Sequence, residues 1–140
     1  MKNWFFSLKG AIALSVMALL TEVWRAFLDA MFVLPIDFGD AGMMQTFALI
    51  ATLIFALWVW SLVAAARGSR FGLVAAFALN ALIVLAVPVS WLLVYCPAEC
   101  RAQAGIFNLA NTLNLVLGLL AAVSLGWQLR RSARPALAEG

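Results

Sequence analysis

Four long apolar runs occupy most of this chain, and they constrain its fold more than any other feature. They cover about Gly10 to Leu34, Ala41 to Ala66, Phe71 to Tyr95 and Gly105 to Leu129. Each exceeds the roughly 20 residues that an α-helix needs to cross a hydrocarbon core of about 30 Å. The bilayer core offers no water to exposed backbone groups, so a span must be a helix or a strand of a closed barrel, and these runs lack the alternation of barrel strands. The sequence therefore predicts an all-α membrane protein with four transmembrane helices over 10–34, 41–66, 71–95 and 105–129, in one domain of residues 1–140. Composition agrees, with 66% hydrophobic and only 11% charged residues, against about 25% charged in soluble domains.

The connections between the runs are short. Pro35 to Asp40, Arg67 to Arg70 and Cys96 to Arg101 hold most of the breakers and loop charges. Short loops make successive helices antiparallel neighbours, so an up-down antiparallel bundle is expected. Pro88 lies inside the third run, where the loss of one backbone donor predicts a kink. The first run has a basic start, but it lacks a small-residue cleavage site and its apolar character resumes beyond Arg25. It is therefore read as a retained helix and not as a cleaved signal peptide.

Loop charges set the orientation. Lys2 and Lys9 precede the first run, Arg67 and Arg70 fill the middle loop, and Arg130, Arg131 and Arg134 follow the fourth. The other two loops hold Asp37, Asp40 and Glu99, with Arg101 as their one basic residue. Cytoplasmic loops collect Lys and Arg, so both termini and the middle loop are expected in the cytoplasm, most simply that of a bacterium with this chain in its inner (plasma) membrane. The net charge of +3 is spread over helix ends and forms no nucleic-acid patch. Trp4, Phe5, Phe6, Trp58, Trp60, Trp91, Tyr95 and Trp127 fall near the ends of runs, as an interfacial aromatic belt requires.

Three charges interrupt the first run. Glu22, Arg25 and Asp29 are spaced three and four apart, so all fall on one helical face. With entry near Gly10, Glu22 lies roughly 18 Å deep, close to the bilayer midplane. A charge there costs about 2.5–3.5 kcal/mol on insertion scales, and Arg25 between two carboxylates offsets part of that cost. The face must therefore point into the bundle or into a partner. Asn108, Asn111 and Asn114 on the fourth run, Gln45 on the second and Asn80 on the third add polar groups in the middle and outer layers. Taken together with the charges, they predict an outward-facing polar pocket for a ligand. Taken singly, each is explained by hydrogen bonds between helices. Asn114, Gly118, Ala122 and Gly126 form a small-residue stripe suited to close helix approach.

Other chemistry is narrowly bounded. The chain has no histidine, which removes imidazole metal sites, histidine-ligated haem and His-dependent triads. There is no Walker loop or GxGxxG fingerprint, and neither a metal nor a cofactor is expected. Cys96 and Cys100 both lie in the predicted outer loop, where an oxidising compartment favours a disulfide between them. No motif characteristic of a known small membrane-protein family is evident. The expected function is noncatalytic: ligand binding or transport within a homo-oligomer or larger membrane complex. An accessory or assembly subunit is the alternative. An intramembrane enzyme fits least, because Glu22 and Asp29 lie about 10 Å apart along the helix, too far to share a proton.

Overall fold

Helices account for the whole of the regular structure among the described residues. The computed structural model describes residues 4–32, 40–93 and 104–133; within them the side chains of 29, 31, 32, 87–93, 104, 107 and 133 are not described. After a single 3₁₀ turn at Trp4–Phe6 come α1 (Leu8–Phe32), α2 (Ala41–Ala66), α3 (Arg70–Leu93) and α4 (Ala104–Ala133). Local chemistry sets several ends. Ser7 opens α1, its hydroxyl accepting from Gly10 N–H at 3.0 Å. Asp40 caps α2 by accepting from the amides of Gly42 at 2.8 Å and Met43 at 3.2 Å. The α2–α3 turn is as short as the sequence predicts: Gly68 takes a left-handed φ of 84° there, and the amides of Arg67, Gly68 and Ser69 return to Val63, Ala65 and Ala64 carbonyls. Helix α3 continues through Pro88 to Leu93. Helix α4 extends past the predicted Leu129 because Arg130 and Arg131 suit the negative end of its dipole.

Neighbouring helices run in opposite directions. The Phe6 carbonyl meets Gln128 while Glu22 meets Asn114, which sets α1 against α4. Gly126 lies on Phe77 and Gly118 on Ile83, which sets α3 against α4. Ser15 near the start of α1 meets Trp58 near the end of α2. Helix α4 thus sits between α1 and α3. Helix α2 packs mainly on α3, and over residues 41–57 it has no buried side chain. The small-residue stripe of α4 serves partners in this same chain. A Cβ on Gly118 would lie 3.3 Å from Ile83 Cγ2, and one on Gly126 3.3 Å from Phe77 Cε2.

The distribution of polarity is that of a protein in lipid. Ser15, Ser61, Asn80, Asn111, Asn114 and Ser124 are all buried, whereas Leu20, Phe27, Leu53, Leu85 and Leu119 are exposed. A soluble domain places these classes the other way round. Three stretches are long and apolar enough to cross a membrane: Leu8–Leu28, Ala41–Ala66 and Asn108–Ser132, with mean hydropathies of 1.6, 2.3 and 1.7. In α3 the apolar stretch Arg70–Ala86 is shorter than a full span. The apolar helices fit a lipid bilayer, and the chain reads as an integral membrane protein.

Candidate functional site: the polar seam between α1 and α4

Residues Ala11, Ser15, Ala18, Glu22 and Arg25 recur at steps of four and three along α1, and Asn111, Asn114, Ala121, Leu125 and Gln128 keep the same phase along α4, where Gly118 between them is turned onto α3. This is the spacing of a left-handed helix–helix seam. Along the inner halves of the two helices the rows carry small side chains, and Ala11, Ala18 and Ala121 are completely buried. Farther out the same two rows become polar, and the seam becomes a cluster.

Glu22 is its centre. Arg25 donates through Nε to Glu22 Oε2 at 3.0 Å and through Nη2 to Oε1 at 2.6 Å. This side-on, two-bond pair is the strong form of a carboxylate–guanidinium contact. Asn114, fully buried on α4, donates its Nδ2 to the same Glu22 Oε2. Thr21 Oγ1 lies 2.9 Å from the Ala18 carbonyl and 3.3 Å from Asn114 Oδ1, and its single proton serves one acceptor at a time. The cluster thus joins two helices through residues 92 positions apart. The Glu22 and Arg25 side chains keep 23% and 13% of their exposure, so the pair is enclosed without being sealed. Both residues fall inside the candidate span Leu8–Leu28, and Asp29 lies just beyond it in α1. One turn from Asn114, Asn111 is also buried, and its Oδ1 has no hydrogen-bond partner among the described residues.

The remaining predicted residues do not converge on this cluster. Asn80 belongs to a second polar layer nearer the α2–α3 turn, where it donates to Ser15 Oγ at 2.6 Å and to the Ala76 carbonyl at 2.8 Å. Trp58 Nε1 donates to the same Ser15 hydroxyl at 3.4 Å. Trp58 is only 2% exposed, so the belt reading fails at this residue: its indole is a core group joining α2 to α1. Trp60 and Trp127 are exposed and keep the belt position. Gln45 is exposed on the first turns of α2, and Asn108 is exposed on α4. Depth in the membrane was the only ground for grouping these two with Glu22, and helix phase separates them from it. The side chain of Asp29 and both Cys96 and Cys100 lie outside the described residues.

Ser15, Thr21 and Trp58 complete the polar layers, as do Ser124 and Gln128, which donate to the carbonyls of Phe5 and Phe6. The four-and-three spacing through Ser15 was the available signal for the first of these. No protein-family model, curated protein or solved structure matches this chain.

Proposed function

We propose that this chain is a noncatalytic polytopic membrane protein that binds or conducts a small anion through the α1–α4 seam, acting within a homo-oligomer or larger complex. The reading takes all four helices as spans. Helix α3 has 24 residues and, at 1.5 Å each, reaches roughly 36 Å. It places both termini and the α2–α3 turn in the cytoplasm, with the bacterial inner membrane as the setting. A C-terminal reporter active only outside the cell would overturn that orientation.

One observation carries the proposal: an ionisable pair within a candidate span, incompletely enclosed and bonded to Asn114, one helical turn from a buried Asn111 side-chain oxygen with no partner among the described residues. Ionisable groups at such depth are expensive and mark pathways or binding sites. An anion would reach the Arg25 guanidinium by displacing the Glu22 carboxylate. Asn114, which already donates to Glu22, is placed to hold the displaced carboxylate.

Purified protein in liposomes, assayed with chloride, nitrate and phosphate and with an internal pH dye, tests this. Flux of one of these anions that collapses in Arg25→Met supports it. Absence of flux for every anion and for protons counts against it. The accessory-subunit reading is favoured by a separate observation, the α2 stretch over residues 41–57, in which no side chain is buried. A stable companion protein retained through purification in mild detergent, with no flux, decides for that reading.

A further inference from the structure

The end of the bundle holding the α2–α3 turn is uniformly basic. Lys9 at the start of α1, Arg67 after α2, Arg70 at the start of α3, and Arg130 and Arg131 at the end of α4 are all exposed. Among the described residues no acidic group lies at this end. Glu22 and Asp29 lie farther along α1, and Asp40 opens α2 at the opposite end. None of the five basic groups has a carboxylate partner among the described residues, where the ion pair is that of Arg25 with Glu22.

Aromatic rings lie immediately inside this charge. Trp60 and Phe71 are exposed, with ring centroids 5.9 Å apart on either side of the turn. Trp127 is 42% exposed, packs on Phe6 at 5.3 Å, and lies 5.7 Å from the Arg131 guanidinium carbon. Rings of this kind settle at the level of lipid headgroups. They set the arginines at the depth of the phosphates.

The scaffold is stiff. Gly68 holds its left-handed conformation between Arg67 and Arg70. Gly72 allows a contact so close that an added Cβ would lie 2.5 Å from the Ala65 backbone nitrogen. The backbone carrying the two turn arginines is therefore fixed before any ligand arrives, and binding orders only their side chains.

We infer that Arg67 and Arg70, with Arg130 and Arg131, form a headgroup site that retains anionic phospholipid. The occupant follows from the chemistry: four guanidinium groups matching phosphodiester oxygens, beneath them aromatic rings and exposed apolar helix to hold the acyl chains. The inference rests on the membrane reading but on neither the anion pathway nor the orientation.

Native mass spectrometry of the full chain, released from detergent micelles containing equal phosphatidylglycerol and phosphatidylcholine, tests it. Micelles have no sides, so the outcome is independent of topology, and no flux is measured. The expected result is retained phosphatidylglycerol in preference to phosphatidylcholine, undisturbed by inorganic phosphate. Each arginine removed should weaken that preference about fivefold, and hence Arg67→Gln/Arg70→Gln by about 25-fold. Arg130→Gln/Arg131→Gln should lower it as well. Circular dichroism should be unchanged in both variants, because these side chains are exposed. Equal retention of the two lipids, a preference that survives both double variants, or displacement by inorganic phosphate would each overturn the inference.

Discussion

The Glu22–Arg25 pair makes a quantitative test of whether the seam is electrostatically coupled. Glu22 accepts from Arg25 Nε and Nη2 and from Asn114 Nδ2. Glu22→Gln keeps one acceptor and turns a donor group toward the guanidinium. Breaking a buried pair costs about 3–5 kcal/mol in the limit of full burial. The 23% exposure of Glu22 moderates this, as does the modest average of about 0.6 kcal/mol for side-chain hydrogen bonds within membranes. A loss of about 2 kcal/mol is expected for Glu22→Gln, and a similar loss for Arg25→Met, which strands the carboxylate. The double variant removes both charges and leaves an amide oxygen on α1 for Asn114. Replacing both members of a buried pair is often nearly neutral, so its cost should be about 1 kcal/mol, less than either single change. The coupling energy is then about 3 kcal/mol. Reversible unfolding by SDS in mild-detergent micelles, followed by circular dichroism, measures all four proteins. If the double variant loses the sum of the single losses, Glu22 and Arg25 act independently and the seam has no ionic core.

Four further outcomes follow from particular residues. Gly72→Ala should destabilise by more than about 2 kcal/mol, since its Cβ would meet backbone at 2.5 Å, whereas Gly118→Ala should cost less, about 1 kcal/mol, because its Cβ would meet side-chain methyls of Ile83 at 3.3 Å and Val84 at 3.5 Å and needs them to give by only a few tenths of an ångström; thermal melts in detergent compare them. Ser15→Ala removes the shared acceptor of Trp58 and Asn80 and should cost about 1–3 kcal/mol in the same assay. Asn80→Leu should cost less than Ser15→Ala, because it also removes a buried carbonyl oxygen with no partner among the described residues. Asn111→Leu should reduce anion flux more than it reduces yield of folded protein; equal loss of both would make Asn111 a packing residue.

The limits of α2 were legible because punctuation flanks its apolar run. Helix α2 begins and ends where the sequence predicts, between the Asp40 cap and the Gly68 turn. The Glu22–Arg25 contact was also legible, since a three-residue separation on a helix is a local relation. The partnership of Glu22 with Asn114 was not, because it joins residues 92 apart and depends on the phase of two helices. Depth alone grouped Gln45 and Asn108 with the charges, although both face outward. Trp58 was misplaced for a related reason. Its neighbour Trp60 has the same composition and nearly the same depth, and a turn of about 200° separates a buried ring from an exposed one. A finer signal was present in the alternating four-and-three steps from Ala11 to Arg25 and from Asn111 to Gln128. Two matching rows in a chain of antiparallel helices nominate each other as partners.

That seam also bears on how the charges enter a membrane at all. Glu22 and Arg25 precede Asn114 by more than 80 residues of synthesis, so α1 must be accommodated before its partner helix exists. At about 2.5–3.5 kcal/mol each, two separate charges near the centre would offset the contribution of about ten leucines to insertion. The pair is within one helix and needs no partner to form, so α1 carries its own compensation from the start. What α4 adds later is direction. Asn114 fixes which way the paired charges face, and the bond of Gln128 to the Phe6 carbonyl fixes the register at the other end of the seam. The residues that make α1 difficult to insert thus make its final position unambiguous, because any rotation that turns Glu22 away from Asn114 turns it toward lipid.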